Sequence, residues 1–422
     1  MGGEAGMVTV SYAEGWDLSS ATAMGPLSRS EAEARDLAGT PYALVYRLEG
    51  RKAPVEAQLV AWGDHYVGGW AYDDHGRRTR EADWRLLEPE RLFLRHLAEW
   101  RYDSPAQAEF ARDVWRTRTE LSPDSTGRTV SEPQGDLGSA RHTPADVTAA
   151  DRWRGRAGFG VRGGGSLLFS HPSLVDRDVT YQDASEAVPE PPPSAPAPWV
   201  PPRPAQPVHL RELFEPGTRL ATRHQPEMTV GALRDIAALR VPSGRLAVTD
   251  PLTRGRTACR ELSERIPPGV YPLQTAVVAY EGEYEDQRFP VEEEVAIRLL
   301  IDGEPPVSWE LALADGDDAR LLREGEFFGF DTDSAAGCFA DASEWDLLAG
   351  KYRRFLVDGH DDEGESIGEA YIRTSHEASG TDLVSFYTSG DGTFPVWLGR
   401  SGSGELVSVV VVRDFLPDLV VL

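Results

Sequence analysis

The chain has 422 residues, with 43 Lys and Arg against 69 Asp and Glu, and a net charge of −26. So large a negative excess excludes naked nucleic acid and anionic membrane as partners, because phosphate surfaces are bound by concentrated Lys and Arg. Its two cysteines, Cys259 and Cys338, exclude a disulfide scaffold and a Cys-rich zinc module.

The N-terminus lacks a basic region followed by an apolar stretch, so no signal peptide is expected. The longest apolar runs, residues 406–412 and 419–422, fall far short of the roughly 20 residues of a membrane helix. A cytoplasmic protein is the expectation.

Residues 1–182 read as an α+β domain, a small sheet followed by helices. Segments 43–48 (ALVYRL) and 57–62 (AQLVAW) read as strands, and 65–72 (HYVGGWAY) continues the pattern into an Asp73-Asp74-His75-Gly76 turn. Segment 89–100 (PERLFLRHLAEW) has helical spacing, with Leu92, Leu94, Leu97 and Trp100 sharing one face. Segment 104–117 opens with Ser-Pro, which suits a helix N-cap and first position. Residues 121–150 are rich in Ser, Thr, Pro, Gly and Asp and read as a long surface excursion or as disorder.

Residues 183–207 hold ten of the 31 prolines. Proline removes backbone donors and favours extended polyproline II structure, so this segment reads as a semi-rigid linker. Residues 208–422 read as a mostly antiparallel β domain with a few helices. A short helix is expected near 230–239. Strand-like runs follow at 245–249, 270–280, 291–301, 307–313, 382–387, 393–398 and 405–414. The acidic excess is concentrated here, with 39 acidic and 20 basic residues in 208–422.

Four aspartates on glycine-bearing segments, Asp331, Asp333, Asp341 and Asp391, are the candidate metal ligands. Carboxylates at such spacing can converge on Mg²⁺ or Ca²⁺, and a hydrolase could use the ion to activate water. The ordinary alternative is that they cap turns by accepting backbone N–H bonds. Cys338 is a nucleophile only if His360 or His376 lies beside it. His360-Asp361-Asp362-Glu363, and His65 with Asp73, Asp74 and His75, have metal-ligand chemistry without the spacing of known zinc motifs. The glycines of 155–165 come without a Walker lysine. Most of the eleven tryptophans suit core packing. Trp70 and Trp84 are candidates for an exposed binding face, and Trp199 for docking the linker onto a domain or a partner.

Several motifs in the C-terminal domain occur in a characteristic order. They are Pro242-Ser243-Gly244 leading to Asp250-Pro251-Leu252; Ile266-Pro267-Pro268-Gly269-Val270-Tyr271-Pro272; Trp309-Glu310-Leu311-Ala312; Gly329-Phe330-Asp331 with Gly337-Cys338-Phe339-Ala340-Asp341; and Ser389-Gly390-Asp391-Gly392-Thr393-Phe394-Pro395 ending at Asp414-Phe415. As a set this half of the chain resembles a bacterial family catalogued as domain of unknown function 4241. The N-terminal half resembles no recognised family. The resemblance implies association with toxin–immunity or defence systems. With the charge, it leads us to expect a non-enzymatic protein-interaction module acting on a basic protein partner through its acidic C-terminal domain. The alternatives are a metal-dependent hydrolase built on the aspartates and an effector delivered to other cells.

Overall fold

The computed structural model describes residues 7–160, 179–182, 198–225, 227–253, 259–284, 287–413, 416 and 418–422. It divides into two compact units, Met1–Pro202 and Arg203–Leu422.

The first unit is one 12-stranded sheet. Its elements in chain order are β1 (Val8–Asp17), β2 (Thr22–Leu27), α1 (Arg29–Ala38), β3 (Tyr42–Leu48), β4 (Glu56–Ala61), β5 (Tyr66–Tyr72), β6 (Arg78–Glu88), β7 (Arg91–Arg101), β8 (Trp115–Leu121), β9 (Gly127–Glu132), β10 (Arg141–Pro144), α2 (Ala149–Arg152), β11 (Trp153–Gly155) and β12 (Val179–Tyr181). The order across the sheet is β10-β9-β8-β7-β6-β5-β4-β3-β1-β12. Most of it is a meander in which each strand pairs antiparallel with the next, whereas β12 runs parallel to β1. Every residue of β4 and β5 is buried. Register places Tyr12, Leu44, Gln58 and Gly69 in one row across four strands. Ala43, Val45, Ala57, Leu59 and Trp70 belong to a core cluster that includes Trp16 and Tyr72.

The expected helical pair in this unit is absent. Segment 89–100 lies mainly in β7, hydrogen-bonded to β6 and β8. Both faces of β7 are covered: Leu92, Phe93 and Leu94 are all buried, and Phe93 packs on Trp153 at 5.0 Å. Pairing with two neighbours overrides the local helical spacing. Segment 104–117 forms turns that run into β8. Phe110 has φ +54°, which no helix interior accommodates. Arg77 also takes the carbonyls of Ser104 and Gln107, at 2.8 and 2.7 Å. The regular helices are instead α1, with a Ser28–Glu31 capping box and Gly39 at its C-terminus, and the single turn α2. The unit is largely β. Residues 121–150 carry β9 and β10, and Arg152 just beyond them is buried and donates to Val147 and Thr126 carbonyls.

The second unit packs two sheets against each other. Its strands are β13 (Arg219–Ala221), β14 (Met228–Val230), β15 (Arg234–Val241), β16 (Arg245–Thr249), β17 (Glu261–Arg265), β18 (Gly269–Tyr284), β19 (Gln287–Leu300), β20 (Ser308–Leu311), β21 (Gly329–Thr332), β22 (Ala336–Asp341), β23 (Glu365–Gly368), β24 (Tyr371–His376), β25 (Thr381–Tyr387), β26 (Gly392–Arg400), β27 (Leu406–Val412) and β28 (Val420–Val421), with α3 (Trp345–Leu356) after β22. A 10-stranded sheet runs β20-β26-β27-β19-β18-β14-β13-β28, with β15 on β18 and β21 on β26. A 6-stranded sheet runs β17-β16-β22-β25-β24-β23. The main core joins Leu239, Leu273 and Ile297 of the large sheet to Val248, Phe339 and Phe386 of the small one. α3 covers the other face of the small sheet with Trp345, Leu348 and Tyr352. Leu213, Phe214 and Leu220 belong to the cluster on the other face of the large sheet.

The helix expected near 230–239 is the end of β14 and the body of β15, antiparallel to β18. Leu239 and Val241 point into the core while Arg240 between them reaches Asp382, a strand-like alternation. The mostly antiparallel β character with few helices holds for this unit. No helix among the described residues is long and apolar enough to cross a membrane.

Candidate functional site

The four candidate metal ligands are not brought together. Asp331 lies on β21 opposite Thr393 of β26 and accepts its hydroxyl at 2.5 Å. Asp333 and Asp391 are exposed in neighbouring turns. Asp341 is fully buried at the far end of β22. It accepts the Ser243 N–H and hydroxyl at 3.0 and 2.7 Å, and the Ser343 N–H and hydroxyl at 2.9 and 2.6 Å. Among the described residues no group of three or more His, Cys, Asp or Glu could hold a metal ion. The spacing misled because β22 separates Asp341 from the Asp331 turn.

Two further buried aspartates complete the account of Asp341. Asp250, just after β16, accepts the Thr332 and Ser334 hydroxyls, both at 2.8 Å, and the Leu252 N–H at 2.7 Å. Asp382 on β25 accepts the Arg240 N–H at 3.0 Å, its guanidinium at 2.8 and 2.9 Å, and the Ser375 hydroxyl at 2.6 Å. All three carboxylates belong to the small sheet or its strand ends. Their donors include Thr332 on β21, Ser243 in the β15–β16 turn and Arg240 on β15. They therefore fasten one sheet to the other with charge-assisted bonds in a low-dielectric interior. Sequence reasoning placed Asp250 in a motif and passed over Asp382; an Asp recurring at strand ends with Ser, Thr or Arg partners was the available signal.

Cys338 is fully buried in the apolar cluster under α3, and burial pushes its thiol well above the ordinary range. His376 bonds Ser379 at 2.8 Å instead. Glu363 of the 360–363 cluster pairs with Arg354 at 2.9 Å and Lys351 at 3.7 Å. It lines an open cleft of about 630 Å³ with Arg240, Lys351 and Arg373. Each of these cations is already matched, Arg240 by Glu377, Lys351 by the Ser375 carbonyl and Arg373 by Glu365. In the first unit Asp73 pairs with Arg77 and Asp74 with Arg51.

The tryptophans set aside for binding pack inward. Trp70 and Trp84 are buried in the sheet. Trp199 belongs to the same core: its backbone N–H donates to the Trp16 carbonyl at 2.8 Å and its ring meets Trp70 edge-on at 5.8 Å. The end of the proline-rich segment thus docks on the first unit; residues 183–197 lie outside the described residues. Residues 161–165, with the last three glycines of the 155–165 stretch, and the Asp414-Phe415 pair are outside them too.

What the second unit exposes is an acidic β ribbon. β18 and β19 pair residue for residue from Tyr280↔Val291 to Tyr284↔Gln287. β14 leaves β18 at Ala279 and β27 leaves β19 at Ala296. Among the described residues, no third strand pairs with either one beyond those points. Their length leaves Glu281, Glu283, Glu292 and Glu293 exposed, with Phe289 and Pro290 beside them. Residues 280–294 contain seven acidic side chains and one basic one, Arg288. Arg288 lies 3.6 and 3.7 Å from Glu281 and Glu283, Arg234 pairs with Glu292 and Arg413 with Glu294 at 2.7 Å, and together these neutralise only part of that charge. At the base of the ribbon an open groove of about 830 Å³ is lined by Gln225, Glu227, Thr229, Tyr280, Glu281 and Glu283, among others. Charge and Pro290 along the ribbon edge also discourage sheet-to-sheet aggregation.

Residues 239–411 match the family model for Protein of unknown function (DUF4241). The match runs from β15 to β27, so it takes in the three buried aspartates, their Arg240 and Ser243 donors, and the ribbon. The first unit lies outside it. No curated protein and no solved structure matches the chain.

Proposed function

We propose that this is a non-enzymatic binding protein of the toxin–immunity or defence type, and that its second unit engages a basic protein partner through the ribbon of β18 and β19. The observation that carries this reading is a two-stranded arm with four exposed glutamates, an exposed phenylalanine and an acidic groove at its base. Complementary charge steers a basic partner onto such a surface and fixes its register. Phe289 supplies the apolar contact that a charge-only surface lacks. The motif carboxylates with a chemical appearance, Asp250 and Asp341, have their oxygens committed to internal donors and are better explained as structural.

The test compares two charge-matched variants of the full chain. One carries Glu281→Gln, Glu283→Gln, Glu292→Gln and Glu293→Gln. The other carries Asp358→Asn, Asp361→Asn, Glu369→Gln and Glu405→Gln, all exposed residues of the same unit. Binding of an arginine-rich peptide, followed by fluorescence anisotropy at physiological salt, should weaken roughly tenfold or more in the ribbon variant and little in the control. Equal weakening in both would mean that only net charge matters, and would refute the ribbon as the site.

A further inference from the structure

The first unit contains a feature unrelated to the acidic ribbon. A cavity of about 70 Å³ lies against its sheet, walled by Tyr12, Tyr42, Tyr46, Trp62, Phe159 and Tyr181, among others. One water requires roughly 10–15 Å³ of such space, so the cavity exceeds a single solvent site. Its walls are preset by ring packing: Tyr12 stacks with Phe159 at 5.5 Å and with Tyr181 at 6.0 Å.

The polar groups of this wall are not equivalent. The Tyr42 hydroxyl and the Trp62 indole N–H both donate to Asp36, at 2.8 and 2.6 Å. The Tyr12 hydroxyl is buried and has no hydrogen-bond partner, in a residue only 2% exposed. A buried hydroxyl without a partner is costly, and buried polar groups in folded proteins are nearly always matched. The Tyr12 hydroxyl stays protonated at neutral pH, because burial pushes it up to about 12. It is therefore a donor without an acceptor, on a residue that walls the aromatic slot.

We propose that this cavity binds a small neutral aromatic carbonyl compound, its ring against the aromatic walls and its carbonyl oxygen accepting the Tyr12 hydroxyl. Neutrality follows from Asp36, whose carboxyl group already takes both wall donors and would repel a ligand carboxylate. Arg29 lies over the Tyr181 ring at 4.6 Å, but it is exposed and screened by solvent.

The probe is benzamide, titrated into the full chain by calorimetry and followed by Trp62 fluorescence. Saturable binding is expected, with benzoate and toluene each binding less tightly. Tyr12→Phe keeps the ring and removes only the hydroxyl; it should weaken benzamide roughly tenfold and leave toluene unchanged. Equal benzamide affinity in Tyr12→Phe and the parent would overturn the proposal. So would toluene binding the parent chain as tightly as benzamide, a comparison that needs no variant. Absence of saturable benzamide binding would overturn it as well.

Discussion

Removal of the Asp341 side chain separates the structural account of the motif aspartates from the metal-site account. Asp341 accepts four hydrogen bonds at 2.6–3.0 Å from two serines, in a residue with no solvent exposure. A bond to a charged acceptor contributes about 1.5–3 kcal/mol, and bonds within one network do not add. In Asp341→Ala the two serine hydroxyls can rotate toward other partners, whereas the Ser243 and Ser343 N–H groups stay where the backbone holds them. We therefore expect Asp341→Ala to cost about 3–5 kcal/mol. Asp341→Asn keeps the shape and loses the charge; its amide must face one of the four donors, for a cost of about 2–3 kcal/mol. Against the 5–15 kcal/mol typical of a folded domain, the alanine variant is marginal. Urea unfolding of the full chain measures this, with Trp345 at the start of α3 as a nearby fluorescent reporter. Asp333→Ala and Asp391→Ala, both exposed, should lie within about 0.5 kcal/mol of the parent. An Asp341→Ala cost below about 1 kcal/mol would refute the reasoning and return Asp341 to the list of candidate ligands.

Two other outcomes follow from side-chain environments. The Arg116 guanidinium bonds Glu132 and holds its carboxyl below the usual carboxylate range. Because the folded value lies below the unfolded one, this contribution to stability is complete above the unfolded value near pH 4.3 and is lost as pH falls through the folded value. Urea midpoints measured from pH 3 to 7 should fall less steeply on the acid side in Glu132→Gln than in the parent. Cys338 is buried with its thiol pushed well above the ordinary range, and burial also lifts half-buried Cys259 to about 11. Thiolate is the reactive form, so Cys338 should resist iodoacetamide in the native chain and be alkylated only on unfolding; rapid native labelling, read by peptide mass spectrometry, would contradict its placement.

Local sequence carried the antiparallel β character of the C-terminal half, because alternation such as Val295 to Ile301 depends on one residue's neighbours and on the two faces of a strand. Composition carried the acidic surplus of that half. Other features depended on distant partners. The helical reading of 89–100 failed because β6, β8 and β11 pair along the edges of β7 and both its faces are covered, and none of this is visible within a 12-residue window. Asp341 looked like a ligand because it lies ten residues from Asp331 in the chain, but β22 runs between them and delivers Asp341 to Ser243, 98 residues away. Trp199 looked stranded in a proline-rich segment until the fold placed Trp16 and Trp70 beside it. The sequence by itself determined the strands, the charge and the donor and acceptor types available. Only the tertiary structure decided which donors meet which carboxylates, and which acids remain in water on the ribbon, because those outcomes depend on contacts between residues far apart in the chain.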